Sequence, residues 1–81
     1  MTTYYRLDVS YGLSIARSTN LHSEDQKIIK IVGMRPDDSG AGFGMRDLGW
    51  VFELRTPATV IRDKLLAAGY NTARVSEHET E

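Results

Sequence analysis

Cysteine is missing from this chain, and proline occurs only as Pro36 and Pro57. Without a thiol there is no disulfide framework and no thiolate zinc site. A reducing cytoplasm is the expected setting, although the absence of cysteine is also compatible with secretion. No apolar run approaches the ~20 residues that a membrane-spanning helix needs. The opening Met1-Thr2-Thr3-Tyr4-Tyr5-Arg6 lacks the apolar segment of a signal peptide. Neither sign of charge dominates, because ten basic side chains face eleven acidic ones for a net charge of −1. No basic tract is present, so the electrostatic attraction behind non-specific nucleic-acid binding is not encoded.

A chain of 81 residues supports one domain with a single core two layers deep. Its second half parses most clearly. Leu48, Trp50, Phe52 and Leu54 alternate with Gly49, Val51, Glu53 and Arg55, the period of a strand with one buried face. Thr56-Pro57 then suits a helix start, with Thr as the cap and Pro at the first helical position. Val60, Ile61, Leu65 and Ala68, with Leu66 and Ala67 beside them, form an apolar stripe, and Gly69 predicts the helix stop. Thr72 to Ser76 reads as a short strand with Ala73 and Val75 inward. The polar residues 77–81 are expected to fray as a tail beyond a domain spanning 1–76.

The first half is less determinate. Thr3 to Tyr11 reads as a strand in which Tyr5, Leu7, Val9 and Tyr11 share one face. Beyond Gly12 there are two parses. In one, Leu13 to His22 is a weak helix and Lys27 to Met34 a strand. In the other, Ser23 caps a helix, Gln26 completes a capping box, and Ile28, Ile29, Ile31 and Val32 form its stripe. Four β-branched residues within Lys27–Val32 favour the first. The order is then βαββαβ, an α+β, ferredoxin-like arrangement of a four-stranded antiparallel sheet with two helices on one face. Residues 35–45 become a long connecting loop, of the sort that is often functional.

Sites of chemistry are sparse. Gly40-Ala41-Gly42-Phe43-Gly44 has the backbone freedom of an anion-binding loop, but no Gly-Lys-Ser/Thr follows and Asp37 and Asp38 would repel phosphate. A flexible hairpin loop is the better reading. His78 lies between Glu77 and Glu79, yet a mobile tail is poor support for a metal. Asp37, Asp38 and Asp47 match no calcium-loop spacing. No catalytic residue, cofactor or metal is expected. The uncovered sheet face would show Tyr4, Arg6, Asp8, Ser10, Val51, Glu53, Thr72, Arg74 and Ser76. Its mixed charge favours a protein partner, or a second copy, over a polyanion. Gly49-Trp50-Val51-Phe52-Glu53 lacks the aromatic pattern of RNA-recognition modules.

Two resemblances follow. Phe52-Glu53-Leu54, the helix ending Ala67-Ala68-Gly69-Tyr70 and the closing strand resemble amino-acid-binding ACT domains, as does Asp8-Val9-Ser10-Tyr11-Gly12-Leu13, although Tyr11 stands where that family has proline. This implies a ligand or subunit contact near Asp8, Gly12 and Leu13. In size and style the chain is also similar to small phage-encoded inhibitors, including anti-CRISPR proteins. The leading expectation is a non-enzymatic protein-binding inhibitor or regulator. Tyr4, Arg6 and Arg74 on the open face and Phe43, Met45 and Arg46 from the loop would be its partner-binding residues. An ACT-like ligand-binding domain is the alternative, and a nucleic-acid binder ranks below it.

Overall fold

A computed structural model describes residues 1–13 and 21–80. The elements are β1 (Thr2–Gly12), α1 (Leu21–Val32), β2 (Asp38–Gly42), β3 (Met45–Phe52), α2 (Arg55–Ala67) and β4 (Arg74–Thr80). One antiparallel sheet carries the strands in the order β2-β3-β1-β4. The fold is α+β and ferredoxin-like: β1 and β2 are parallel strands joined through α1, with β3 inserted between them.

Alternation decides which face is buried. Leu7 pairs with Trp50 and Val9 with Leu48, so their side chains point to the same side of the sheet. There they meet Ile28 and Val32 of α1 and Leu65 of α2 in one cluster, with Phe52, Ile61, Tyr70 and Val75 packed around it. Trp50, Leu7, Ile28 and Leu65 are fully buried. Each such side chain contributes about 1.5–3 kcal/mol on burial. The Trp50 indole N–H is satisfied as well, donating to the Met34 carbonyl at 3.0 Å and holding the segment that leaves α1.

The structure corrects the favoured parse of the first half. Lys27–Val32 is the second half of a helix, not a strand, and that helix begins at Leu21, two residues before Ser23. The expected helix over 13–22 lies mostly outside the described residues. Glu24, Ile28 and Val32 fall at spacings of four on one buried face. Tertiary packing of that face outweighs the weak β preference of its isoleucines. Gly33, at φ 89°, closes the helix by donating to the Ile29 carbonyl at 2.7 Å. The missing strand comes from the segment expected to be a loop: Asp38–Gly42 pairs with β3. The order βαββαβ therefore stands, with its second strand displaced by some ten residues.

Two boundaries also differ. Helix α2 starts at Arg55 with Leu54 at the cap position and no side-chain cap bond, so Thr56 is inside the helix and not its cap. Pro57 is tolerated because the first-turn N–H groups have no intrahelical acceptor. The C-terminal end follows expectation: Gly69, at φ 99°, donates to Leu66 at 3.1 Å, and Tyr70 donates to Leu65 at 3.0 Å, a Schellman motif. Strand β4 runs on to Thr80, so Glu77, His78, Glu79 and Thr80 pair with Tyr5, Tyr4, Thr3 and Thr2 where a frayed tail was expected.

Leu65 and Leu66 are adjacent, yet only Leu65 is enclosed, while Leu66 is 39% exposed. Leu65→Ala is expected to cost about 2–5 kcal/mol, a large share of the roughly 4–12 kcal/mol available to a domain of this size. Leu66→Ala is expected to stay within about 0.5 kcal/mol. Denaturant unfolding of both variants checks the pair; equal losses would contradict the packing.

Candidate interaction surface

The side of the sheet away from the helices presents Tyr4, Arg6, Asp8 and Ser10 from β1, flanked by Asp47, Gly49 and Val51 of β3 and by Arg74, Ser76 and His78 of β4. Arg6 organises its centre. Its Nε donates to Asp8 Oδ1 at 2.8 Å and its Nη2 to Asp38 Oδ2 at 2.7 Å, so one guanidinium reaches from β1 over β3 to β2. Gly49 makes the crossing possible. A Cβ there would stand 2.5 Å from Arg6 Nη2 and 3.0 Å from Asp8 Oδ1. The ion pairs push the Arg6 pKa up, and the Arg6 hydrogen bond holds the Asp38 carboxyl below the usual carboxylate range.

Toward one end of this face lies an open cavity of about 350 Å³ lined by Asp8, Val9, Ser10, Asp47, Thr72 and Arg74. Thr72 fixes its rim: the Ser10 N–H donates to Thr72 Oγ1 at 2.9 Å, and the Thr72 hydroxyl donates back to the Ser10 carbonyl. Arg74 sits directly across from Asp8, whose carboxylate is already engaged by Arg6. Arg74 and Asp47 make no ion pair with any described residue. At the other end, Tyr4 and His78 stack with ring centroids 5.2 Å apart, and His78 Nε2 lies 2.9 Å from Ser76 Oγ. Glu53 and Thr72, expected on this face as strand residues, lie just outside β3 and β4.

The loop candidates separate. Phe43 and Gly44 are the two central residues of the β2–β3 hairpin, at φ 53° and 77°. A type I′ turn requires two positive φ values, and glycine, asparagine or aspartate normally supplies them. Phe43 takes that conformation while wholly exposed. Met45 follows at the first position of β3, half-buried. Arg46 faces the helical side instead, because it is in phase with Leu48 and Trp50. Its Nη2 donates to Asp25 Oδ2 at 2.9 Å, and the Tyr11 hydroxyl donates to Asp25 Oδ1 at 2.8 Å. Burial, reinforced by Asp25, pushes the Tyr11 phenol well above its usual pKa. This cluster ties β1, α1 and β3 together, and sequence reasoning missed it because the favoured parse left Asp25 outside any helix. The Arg6–Gly49–Asp38 crossing was missed for a related reason: Asp38 was assigned to a loop.

Strand alternation puts His78 on one face of β4 and Glu77 and Glu79 on the other, so these three do not converge on an ion. Among the described residues no three potential metal ligands cluster, and no helix is long and apolar enough to cross a membrane. Comparison with models of protein families, with curated protein sequences and with solved structures finds no match.

The Arg6 crossing yields a pH test. Asp38 has its folded pKa depressed by Arg6. Its stabilising contribution is therefore present above the unfolded value of about 3.9 and is lost as the pH falls through the lower folded value. Gly49→Ala displaces the guanidinium, and the Asp38 carboxyl is expected to titrate near the ordinary value, as it should in Arg6→Ala. NMR titration of the side-chain carboxyl carbon checks this. An unchanged Asp38 titration in Gly49→Ala would remove the role assigned to glycine.

Proposed function

We propose that this domain is a non-enzymatic protein-binding module that inhibits or regulates its partner by surface complementarity. The carrying observation is Phe43. A large aromatic side chain at the tip of a hairpin, fully exposed and in the left-handed backbone region, is unfavourable twice over in the isolated domain. Both costs are explained if the ring inserts into a pocket on another protein, since aromatic and arginine anchors carry much of the binding energy at interfaces. Met45 adjoins it, and the open face supplies Tyr4, Arg6 and Arg74. Arg74 is the basic residue of this group that makes no ion pair with any described residue, so a partner carboxylate can engage it without breaking one. Arg46 contributes by fixing the base of the hairpin through Asp25. The most concrete form of such a module is a phage-encoded anti-CRISPR protein that blocks a CRISPR–Cas effector complex in the host cytoplasm.

A second reading is supported by the cavity beside Arg74. Charges of opposite sign, Arg74 and Asp47, neither ion-paired among the described residues, border the same concavity, which suits a small zwitterion and fits an ACT-like regulatory domain. Binding would raise the melting temperature in the presence of free amino acids. The mixed charge of the face argues against nucleic acid.

Phe43→Asn separates structure from function. Asparagine accepts positive φ more readily, so the variant is expected to be as stable as the parent or up to about 1 kcal/mol more stable. Partner binding is expected to fall at least tenfold, with Arg74→Glu giving a similar loss. Thermal unfolding and affinity capture of a partner, each performed on parent and variants, check the two halves. In the anti-CRISPR form, expressing the parent chain restores plaques by a CRISPR-targeted phage and Phe43→Asn does not. Partner retention by both variants, or destabilisation of the fold by Phe43→Asn, would defeat the reading.

A further inference from the structure

We infer that the free edge of β2 is a self-association surface on which a second copy of this chain adds its own β2 antiparallel, joining two sheets into one of eight strands. The inference is independent of what the open face binds.

Strand β2 is unusual in what it lacks. Asp38-Ser39-Gly40-Ala41-Gly42 is exposed at every position. Among the described elements its backbone packs against β3 alone, only the Arg6 side chain reaches it from β1, and neither helix does. Its outer N–H and C=O groups face no described strand. Soluble proteins normally guard such an edge with lysine, proline or a bulge. The opposite edge is guarded in that way: β4 carries Arg74, Glu77, His78 and Glu79 along its length. On β2 the only charged residue is Asp38, and Arg6 already neutralises it. Glycine and alanine also hold a strand weakly by themselves, so β2 stands to gain from a pairing partner.

The occupant follows from symmetry and charge. A two-fold axis through Gly40 sets Gly40 opposite Gly40 of the second copy, Ser39 opposite Ala41, and Asp38 opposite Gly42. No side chain larger than serine or aspartate meets across the seam. The two Asp38 carboxylates fall at opposite ends of the paired segment, about 14 Å apart at strand rise, beyond the ~8–10 Å over which charges act in physiological salt. With a net charge of −1 the two copies do not repel at long range.

Gly40 also provides the test. A Cβ at this position meets nothing within 4 Å and its φ is not positive, so the backbone has room for a side chain, and of lysine and glutamate only glutamate meets a like charge within its own monomer, Asp47 across β3. Like charges placed directly opposite each other across strands oppose pairing. Sedimentation velocity of the full chain is expected to show a dimer for the parent, monomers for Gly40→Lys and Gly40→Glu alone, and a dimer again when the two variants are mixed. Circular dichroism should report the same folded spectrum throughout. A parent that remains monomeric into the millimolar range, a dimer that survives Gly40→Lys, or single variants that fail to recombine would each overturn the inference.

Discussion

The contact on which the molecule depends is the Leu7–Trp50 pair at the centre of the sheet. These residues face each other across β1 and β3, are wholly enclosed, and lie where both helices converge. Because strand side chains alternate, committing this pair to the helical side commits every odd residue of β1 and every even residue of β3 to it too. The opposite face is then left to Tyr4, Arg6, Asp8 and Ser10. One constraint thus produces both the core and the uncovered surface. A single-residue slip in register would exchange them.

The uncovered surface is ordered by polar contacts. Arg6 spans three strands through the space that Gly49 leaves, Thr72 clamps the Ser10 backbone, and Tyr4 stacks on His78. These are exposed or half-exposed interactions, which add little to stability. They also hold these side chains in place, which under the proposed binding role lowers the entropy cost of association. The hairpin is different in kind. Its tip gives up local stability at Phe43, and its outer strand has almost no side chains with which to protect itself. Both features make sense on an element whose contacts are completed by another chain.

On the helical side, Asp25 receives the Tyr11 hydroxyl and the Arg46 guanidinium. This places a charged cluster at the margin of the core, where burial strengthens each interaction and where loss of any one member leaves a polar group short of a partner. It also stiffens the base of β3 directly behind the exposed turn. The hairpin therefore projects from a rigid root.

Local pattern alone was enough for the two-residue period of β1 and β3 and for α2 and its glycine stop, because each depends only on neighbouring residues and on backbone geometry. Of the expected stripe on α2, however, only Leu65 is enclosed and Ile61 half-buried, while Val60 and Ala68 are exposed and Ala58 is buried instead. Local pattern was also enough to put Tyr4, Arg6 and Arg74 on one face, but it left open whether Phe43 stands exposed at a tip or folds back onto the core. Local pattern failed at Lys27–Val32, whose β-branched composition suits a strand, and at Asp38–Gly42, which reads as a loop. A Gly-rich strand is held by hydrogen bonds to β3, and an isoleucine-rich helix by the core it covers. Both are non-local, so propensity does not register them. The Arg6 bridge, the Asp25 cluster and the bare edge of β2 arise in the same way. Each joins residues far apart in sequence, and only the assembled sheet, with helices on one side of it, brings them together.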